Sequence, residues 1–261
     1  MLIVREAMDF DFSEEQQAIS DLTRQIFVDK VTHERLREME ENNVSLDREL
    51  WRTLAESGII GAAISETYGG SGLGFLSITA VLEEVGEFAA PVPVLETIVM
   101  GALAIQEFGT DPQRSSLLPE VVAGELVITA GLVAGEQVLV DSGQLSGQID
   151  FISYGLEADI ILVPSEDGIY LVQTDQEGVT RTGLETTTGN FQASVTLDGV
   201  SGDRLGSDSA EKILEWIRLR VDSGICSILS GVCKASLNLA AEYTKIRHQF
   251  DRPIATFQAV S

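Results

Sequence analysis

Two cysteines and two histidines in 261 residues leave little side-chain material for a metal centre or a disulfide framework. His33 and His248 cannot complete a zinc-type Cys/His set, so no metal site is expected. Cys226 and Cys233 lie seven apart in one helical pattern, roughly 10 Å by helix rise, too far to bridge. They read as reduced core thiols. Basic residues are also scarce: 17 Lys+Arg face 41 Asp+Glu, a net charge of -24. Such a surface repels DNA, RNA and anionic membranes, and an anionic ligand needs a local basic spot. No uninterrupted run approaches the ~18 apolar residues of a membrane span, and the opening MLIV is too short for a signal peptide. The expectation is a cytoplasmic protein with no nucleic-acid or membrane partner. Met8 reads as the natural start, with residues 1–7 as an extension.

Apolar residues make up 44% of the chain, enough at this length for two domains and a sizeable core. Helical spacing dominates the first part. Residues 10–39 read as one helix, with Ser13 as N-cap and Glu14, Glu15 and Gln16 in the first turn. Residues 47–57 form a second helix with Leu50, Trp51 and Leu54 on one face, ended by Gly58. Glycines 69, 70, 72 and 74 then mark a turn before another helix. A glycine-rich loop before a helix can cradle phosphate. This one has neither a dinucleotide nor a P-loop spacing and reads as structural. Helices follow over 76–89, 95–108 and 113–123.

At Gly124 the period changes. Short apolar or alternating runs at 127–133, 138–142, 148–153, 159–164, 169–174 and 193–197 are punctuated by glycines, the pattern of an antiparallel β sandwich or barrel. From Ser209 the 3.6 period returns and runs to about His248. Its apolar stripe includes Ile213, Ile217, Val221, Ile228, Leu239 and Tyr243. One helix this long cannot bury its stripe alone and wants a bundle. Either the natural chain continues beyond Ser261 or the missing helices come from elsewhere. The fold class is α+β and multidomain: an N-terminal helical domain (1–123), a middle antiparallel β domain (124–206) and the first long helix of a C-terminal bundle (207–261).

Four colinear motifs carry a family resemblance. They are MDFDFSEEQQ at 8–17, ISETYGGSGLG at 64–74, LEEVG at 82–86 and YTKIRHQFDRPIATFQ at 243–258. In this order they resemble the opening, the PE-x-YGG-x-G turn, the EE-x-G and the R-x-Q-F-G-x-P-I-x-x-F-Q signature of the flavin-dependent acyl-CoA dehydrogenases. The resemblance implies FAD at a subunit interface and α,β-dehydrogenation of an acyl-CoA thioester. A carboxylate base takes the weakly acidic α proton and the flavin takes hydride.

Carried over residue by residue, Arg247 reaches the pyrophosphate of an FAD held mainly by another subunit, a role suited to its fixed cationic fork. Gln249 hydrogen-bonds the same phosphates, Phe250 packs on the cofactor, and Ile254 and Phe257 lie near the adenine. The competing reading puts Phe250, Ile254 and Phe257 in a bundle core and pairs Arg247 with an acid such as Glu242. Asp251 stands where the family carries glycine. The chain's own flavin half-site departs further. ITAGLVAGEQV at 128–138 lacks the family's T-E-P and G-S-D, and Phe151-Ile152-Ser153 stands in the place of its W-I-T. Phe151 and Ser153 are the weak remnant, with an ordinary strand as the alternative. The catalytic base is unassigned. Where a minority of the family carry it on the long helix, this chain has Val221 beside Asp222.

The resemblance implies one subunit of an acyl-CoA dehydrogenase, donating cofactor-binding residues to a partner subunit's FAD. Some bacterial members are α2β2 assemblies in which one chain type lacks the base, and such assemblies often act on bulky acyl-CoA, including steroid side chains. Electron-transfer flavoprotein is the acceptor the family implies. A self-sufficient homotetrameric dehydrogenase and a non-catalytic scaffold subunit are the alternatives.

Overall fold

The computed structural model describes residues 12–132, 138–186 and 192–258. The opening motif before residue 12 and the centre of the 128–138 segment lie outside them.

Helices come first: α1 (Glu14–Lys30), α2 (His33–Glu41), α3 (Arg48–Glu56), α4 (Phe75–Phe88), a π-helical segment (Val94–Ala102) that runs into α5 (Leu103–Phe108), and α6 (Asp111–Val122). Ser13 caps α1 through a full capping box with Gln16. The single helix expected over 10–39 is two. The Thr32 hydroxyl accepts from the Arg35 amide at 3.2 Å and starts α2 afresh. Asp47 caps α3, accepting from the Leu50 amide at 3.1 Å. Arg35 also grips the Asp47 carboxylate at 2.9 Å. Leu50, Trp51 and Leu54 are buried, as their spacing requires.

The glycine turn before α4 is structural. A side chain at Gly70 would overlap the carbonyls of Ile64 and Gly61, and Gly69, Gly72 and Gly74 have positive φ. Its amides are spent on the chain itself: Gly70 on Ser65, Ser71 on Gly61 and Gly72 on Ile64. Leu73 is likewise spent on Ala62, so the amides of 70–73 hold the turn itself.

The middle of the chain is two four-stranded sheets. One is ordered β1 (Ile128–Ala130), β4 (Ile160–Pro164), β5 (Ile169–Gln173), β8 (Asp203–Arg204). The other is ordered β2 (Leu139–Asp141), β3 (Gln144–Ser153), β7 (Gln192–Ser201), β6 (Val179–Leu184). Their inner faces share Leu145, Ile149, Ile161, Val163 and Val195. The expected all-antiparallel pairing fails between β1 and β4 and at an isolated parallel bridge from Val138 to Ser165. β1 runs parallel to β4, Ile128 opposite Ile160. The chain leaves β1 for the second sheet and returns to the first only at β4, so the two strands enter from the same end. β1 also rests on the π segment, where the Thr97 hydroxyl accepts from the Ile128 amide at 3.3 Å.

Helix α7 (Ala210–Ile246) is 37 residues long, about 55 Å. Its first turns bury Ile213, Ile217 and Val221 against the π segment and α5, and Trp216 meets Phe108 edge-on at 5.4 Å between centroids. Its middle crosses α4 at backbone contact. A methyl on Gly86 would overlap the Ile228 carbonyl, and one on Gly231 would overlap the Glu83 carbonyl. This explains the glycine of LEEVG: two helix backbones touch there. Next to the crossing, Glu87 of α4 takes Arg24 of α1 and, at 2.8 Å, Lys234 of α7. By length and composition α7 also qualifies as a membrane span. Its docking on α4 instead makes it part of the helical layer.

Beyond Gly231 no residue of α7 is buried. Leu239 and Tyr243, expected on the core stripe, are 66 and 55% exposed, so the described residues leave the far part of that stripe uncovered. Cys226 and Cys233 lie on exposed surface, not in the core.

Candidate functional site

The signature stretch is not a continuation of α7. The helix ends at Ile246 with Arg247 extended (ψ 118°), and β9 (His248–Gln249) pairs back on β10 (Arg252–Pro253). The pairing sets Gln249 opposite Arg252 and His248 opposite Pro253, and the Ile254 amide bonds the Arg247 carbonyl at 2.8 Å. Phe250 and Asp251 make the two-residue turn, both at positive φ, 53° and 62°. A turn of this kind wants Gly or Asn/Asp at the second position, so Asp251 does there what glycine would do.

The turn thrusts Phe250 into solvent at 87% exposure. Phe257, half-buried, meets it edge-on at 6.2 Å. Ile254 is half-buried at the start of a 3₁₀ turn (Ile254–Thr256). Neither ring lies in a core of this chain. Arg247 is exposed and, among the described residues, makes no side-chain hydrogen bond or ion pair; Glu242 is taken by Lys245. An unpartnered guanidinium beside an exposed amide and an exposed ring, on an otherwise acidic chain, fits the phosphate and ring chemistry of a dinucleotide.

The other predicted pair lies elsewhere. Phe151 sits in a break of β3 register between Ile149 and Ile152, at φ 60° and 55% exposed. A non-glycine residue held left-handed costs of order 1–3 kcal/mol, and such strain clusters at functional sites. Ser153 ends the strand. Its carbonyl accepts from the Thr129 hydroxyl at 2.8 Å, and its own hydroxyl has no partner among the described residues.

Ser153 opens on a cavity of about 550 Å³ where α4, the π segment, the end of β3 and the middle of α7 meet. Leu82, Leu95 and Ile228 form apolar wall; Glu96 and Tyr154 bring polar groups. The Glu96 carboxyl is pushed up to about 7 by burial. The Tyr154 phenol is held neutral, first by burial and then by the charges of Glu96 and Glu157. Ser45, also on the cavity, is hydrogen-bonded to Glu157. The carboxylate facing this space is therefore Glu96. Val221 is buried and Asp222 is exposed and absent from the lining, so the long helix offers no acid there. Sequence reasoning passed over Glu96, although one acid in the apolar run 92–105 was a signal. A second cavity of about 780 Å³ lies between α6 and β5, where Gln113 is already bound by Asp203 and Arg204.

The two groups of predicted residues are well separated. From Val232, at the cavity, to Ile246, before the hairpin, α7 runs fourteen residues, about 21 Å. The structure brings Arg247, Gln249, Phe250, Ile254 and Phe257 together at one tip and leaves Phe151 and Ser153 at the cavity end.

Residues 13–125 match the family model described as acyl-CoA dehydrogenase, N-terminal domain. Over 97% of its length the chain is 33% identical to acyl-CoA dehydrogenase FadE27 of Mycobacterium tuberculosis, covering 71% of that protein. Among solved structures, the Tcur3481-Tcur3483 steroid ACAD superposes with TM-score 0.86 at 37% identity, over 95% of this chain and 71% of that one. The ChsE4-ChsE5 complex from Mycobacterium tuberculosis superposes with TM-score 0.89 at 32% identity, over 97% of this chain and 72% of that one.

Proposed function

The chain belongs to the acyl-CoA dehydrogenase family, FAD-dependent oxidoreductases acting on CH–CH bonds, and within it we propose that this chain is one subunit of a hetero-oligomer that lends its hairpin to a partner subunit's FAD. The observation that carries this reading is the separation along α7. Arg247 stands about 21 Å beyond the cavity, on a bare helix end, so a flavin beside Ser153 and a phosphate at Arg247 belong to different copies.

When bound, FAD supplies the acceptor for the hydride leaving the β carbon of the thioester. The residues of this chain do the holding. Arg247 and Gln249 bind phosphate oxygens with fixed N–H donors, and Phe250 covers an apolar face of the cofactor. Ile254 and Phe257 flank its adenine. At the other end Ser153 and Phe151 border the flavin ring, and the cavity takes an acyl group against Leu82, Leu95 and Ile228.

Leu239, Tyr243 and Ile246 lie within about 60° of one another around α7 and form an apolar face that the described residues leave open, a face that calls for further helices, from this protein or a partner, to cover it. The two relatives of solved structure are named as a two-part steroid ACAD and a two-part complex. By that likeness the substrate is a bulky acyl-CoA such as a steroid thioester; electron-transfer flavoprotein is the acceptor that the family resemblance implies, and the cytoplasm remains the expected setting. Among the described residues the long helix offers no acid at the cavity, so the base is not assigned to α7.

The test is flavin content. The full-length protein is purified alone and with a partner acyl-CoA dehydrogenase, and flavin per chain is read by absorbance. No flavin alone and about one per heteromeric pair supports the proposal. One per chain alone overturns it in favour of a self-sufficient homo-oligomer.

A further inference from the structure

The hairpin carries a second arginine that the signature does not require. Pairing places Arg247 opposite Ile254 and Gln249 opposite Arg252. Side chains alternate along each strand and match across it, so Arg247, Gln249, Arg252 and Ile254 share one face while His248 and Pro253 take the other. The Arg252 guanidinium lies over the Phe257 ring, 4.0 Å from its centroid. Phe257 in turn is braced edge-on by Phe250. The stack fixes the plane of the guanidinium and leaves its N–H edge free.

Among the described residues neither Arg247 nor Arg252 is ion-paired, and Asp251 in the turn pairs with neither. Elsewhere several basic groups are spent on acids, Arg24 on Glu84 and Glu87, Arg35 on Asp47, Lys212 on Asp208 and Lys245 on Glu242; other arginines without an ion pair are scattered, whereas Arg247 and Arg252 are paired on one hairpin face. Two unneutralised guanidiniums on one face of the stretch 247–254 are the local basic spot that a chain of net charge -24 needs to hold an anion.

We propose that Arg252 is a second phosphate-binding cation of this hairpin, acting with Arg247 and Gln249 on the diphosphate of the dinucleotide. This rests on the hairpin serving a cofactor, as proposed above. One arginine addresses each phosphate, with Gln249 between them, and Phe257 keeps the Arg252 fork ordered before the ligand arrives.

The experiment uses the full-length protein in complex with its partner, stripped of flavin. FAD affinity is measured by fluorescence quenching at several salt concentrations, with inorganic pyrophosphate as competitor. Arg252→Gln is expected to weaken FAD about 10- to 100-fold, flatten the salt dependence and weaken pyrophosphate competition. Arg252→Lys, which keeps the charge and loses the flat fork, recovers part of the affinity. Circular dichroism and complex size confirm that the variants assemble. Arg252→Gln with unchanged FAD affinity overturns the proposal. Arg247→Ala is run alongside: a loss there with none for Arg252→Gln rejects this inference alone, and no loss in either rejects the hairpin's cofactor role as well.

Discussion

Lys234 of α7 and Glu87 of α4 are joined at 2.8 Å, within one turn of the place where Gly231 lets the two backbones touch. Arg24 of α1 reaches the same carboxylate. Three helices are thus pinned at one acid, and the pin aims the free half of α7 and the hairpin at its end.

Loss of that pin has a signed pH dependence. Burial alone would raise the Glu87 carboxyl, but hydrogen bonds from Arg24 and Lys234 outweigh it and hold the group below its usual range. Its contribution is complete above the unfolded value of 4.5 and disappears as pH falls through the lower folded value. Its neighbour Glu84 is raised by burial and opposes this trend. Glu87→Gln is expected to cost roughly 1–3 kcal/mol at pH 7 and less at pH 4, by urea denaturation. Equal losses at both pH values would contradict the pairing.

The backbone crossing leaves no room for a side chain. Gly231→Ala and Gly86→Ala are each expected to destabilise by about 1–3 kcal/mol, because the neighbour in contact is main chain and cannot rotate away. Thermal melts check this, with Gly143→Ala as a control at a site where positive φ adds strain but nothing lies within 4 Å.

Glu96 gives the opposite pH trend to Glu87. Burial raises its carboxyl to about 7, so its neutral form is the one the cavity favours. The native state carries no penalty below 4.5 and an increasing one as pH rises through 7. Glu96→Gln is expected to raise the melting temperature at pH 8, by several degrees for a penalty on the order of 3 kcal/mol, and to leave it unchanged at pH 4. A stabilisation independent of pH would show that the carboxyl is not titrating in the cavity.

The turn at Phe250-Asp251 predicts its own tolerance. Asp251→Gly is expected to keep the hairpin and flavin binding. Asp251→Val places a β-branched residue at φ 62° and is expected to open the turn, read as faster exchange of the Ile254 amide.

Much of this architecture was legible in the sequence, because caps and periods are local. Ser13, Asp47 and Gly58 announce helix ends, and the change of period at Gly124 announces the sheets. The break at Thr32 was hidden because apolar spacing continues across it and only a hydroxyl marks the new start. β6 was missed because VTRTGL is an outer strand with little apolar content. The cysteines were misplaced for a reason of assembly. Periodicity shows that the α7 stripe must be covered but not by whom, and the described residues leave its far part open. The hairpin after α7 was disguised by its Phe-Asp turn, where Asn-Gly would have declared it. Glu96 and Tyr154 meet only in three dimensions, 58 residues apart in sequence.

The central claim is that Arg247 serves a flavin seated in another subunit. The most direct measurement places Arg247→Ala in this chain alone, leaves the partner subunit unaltered, and counts flavin in the purified complex. Near-complete loss of flavin from an intact complex is the predicted result. Full flavin content in that complex would contradict the account.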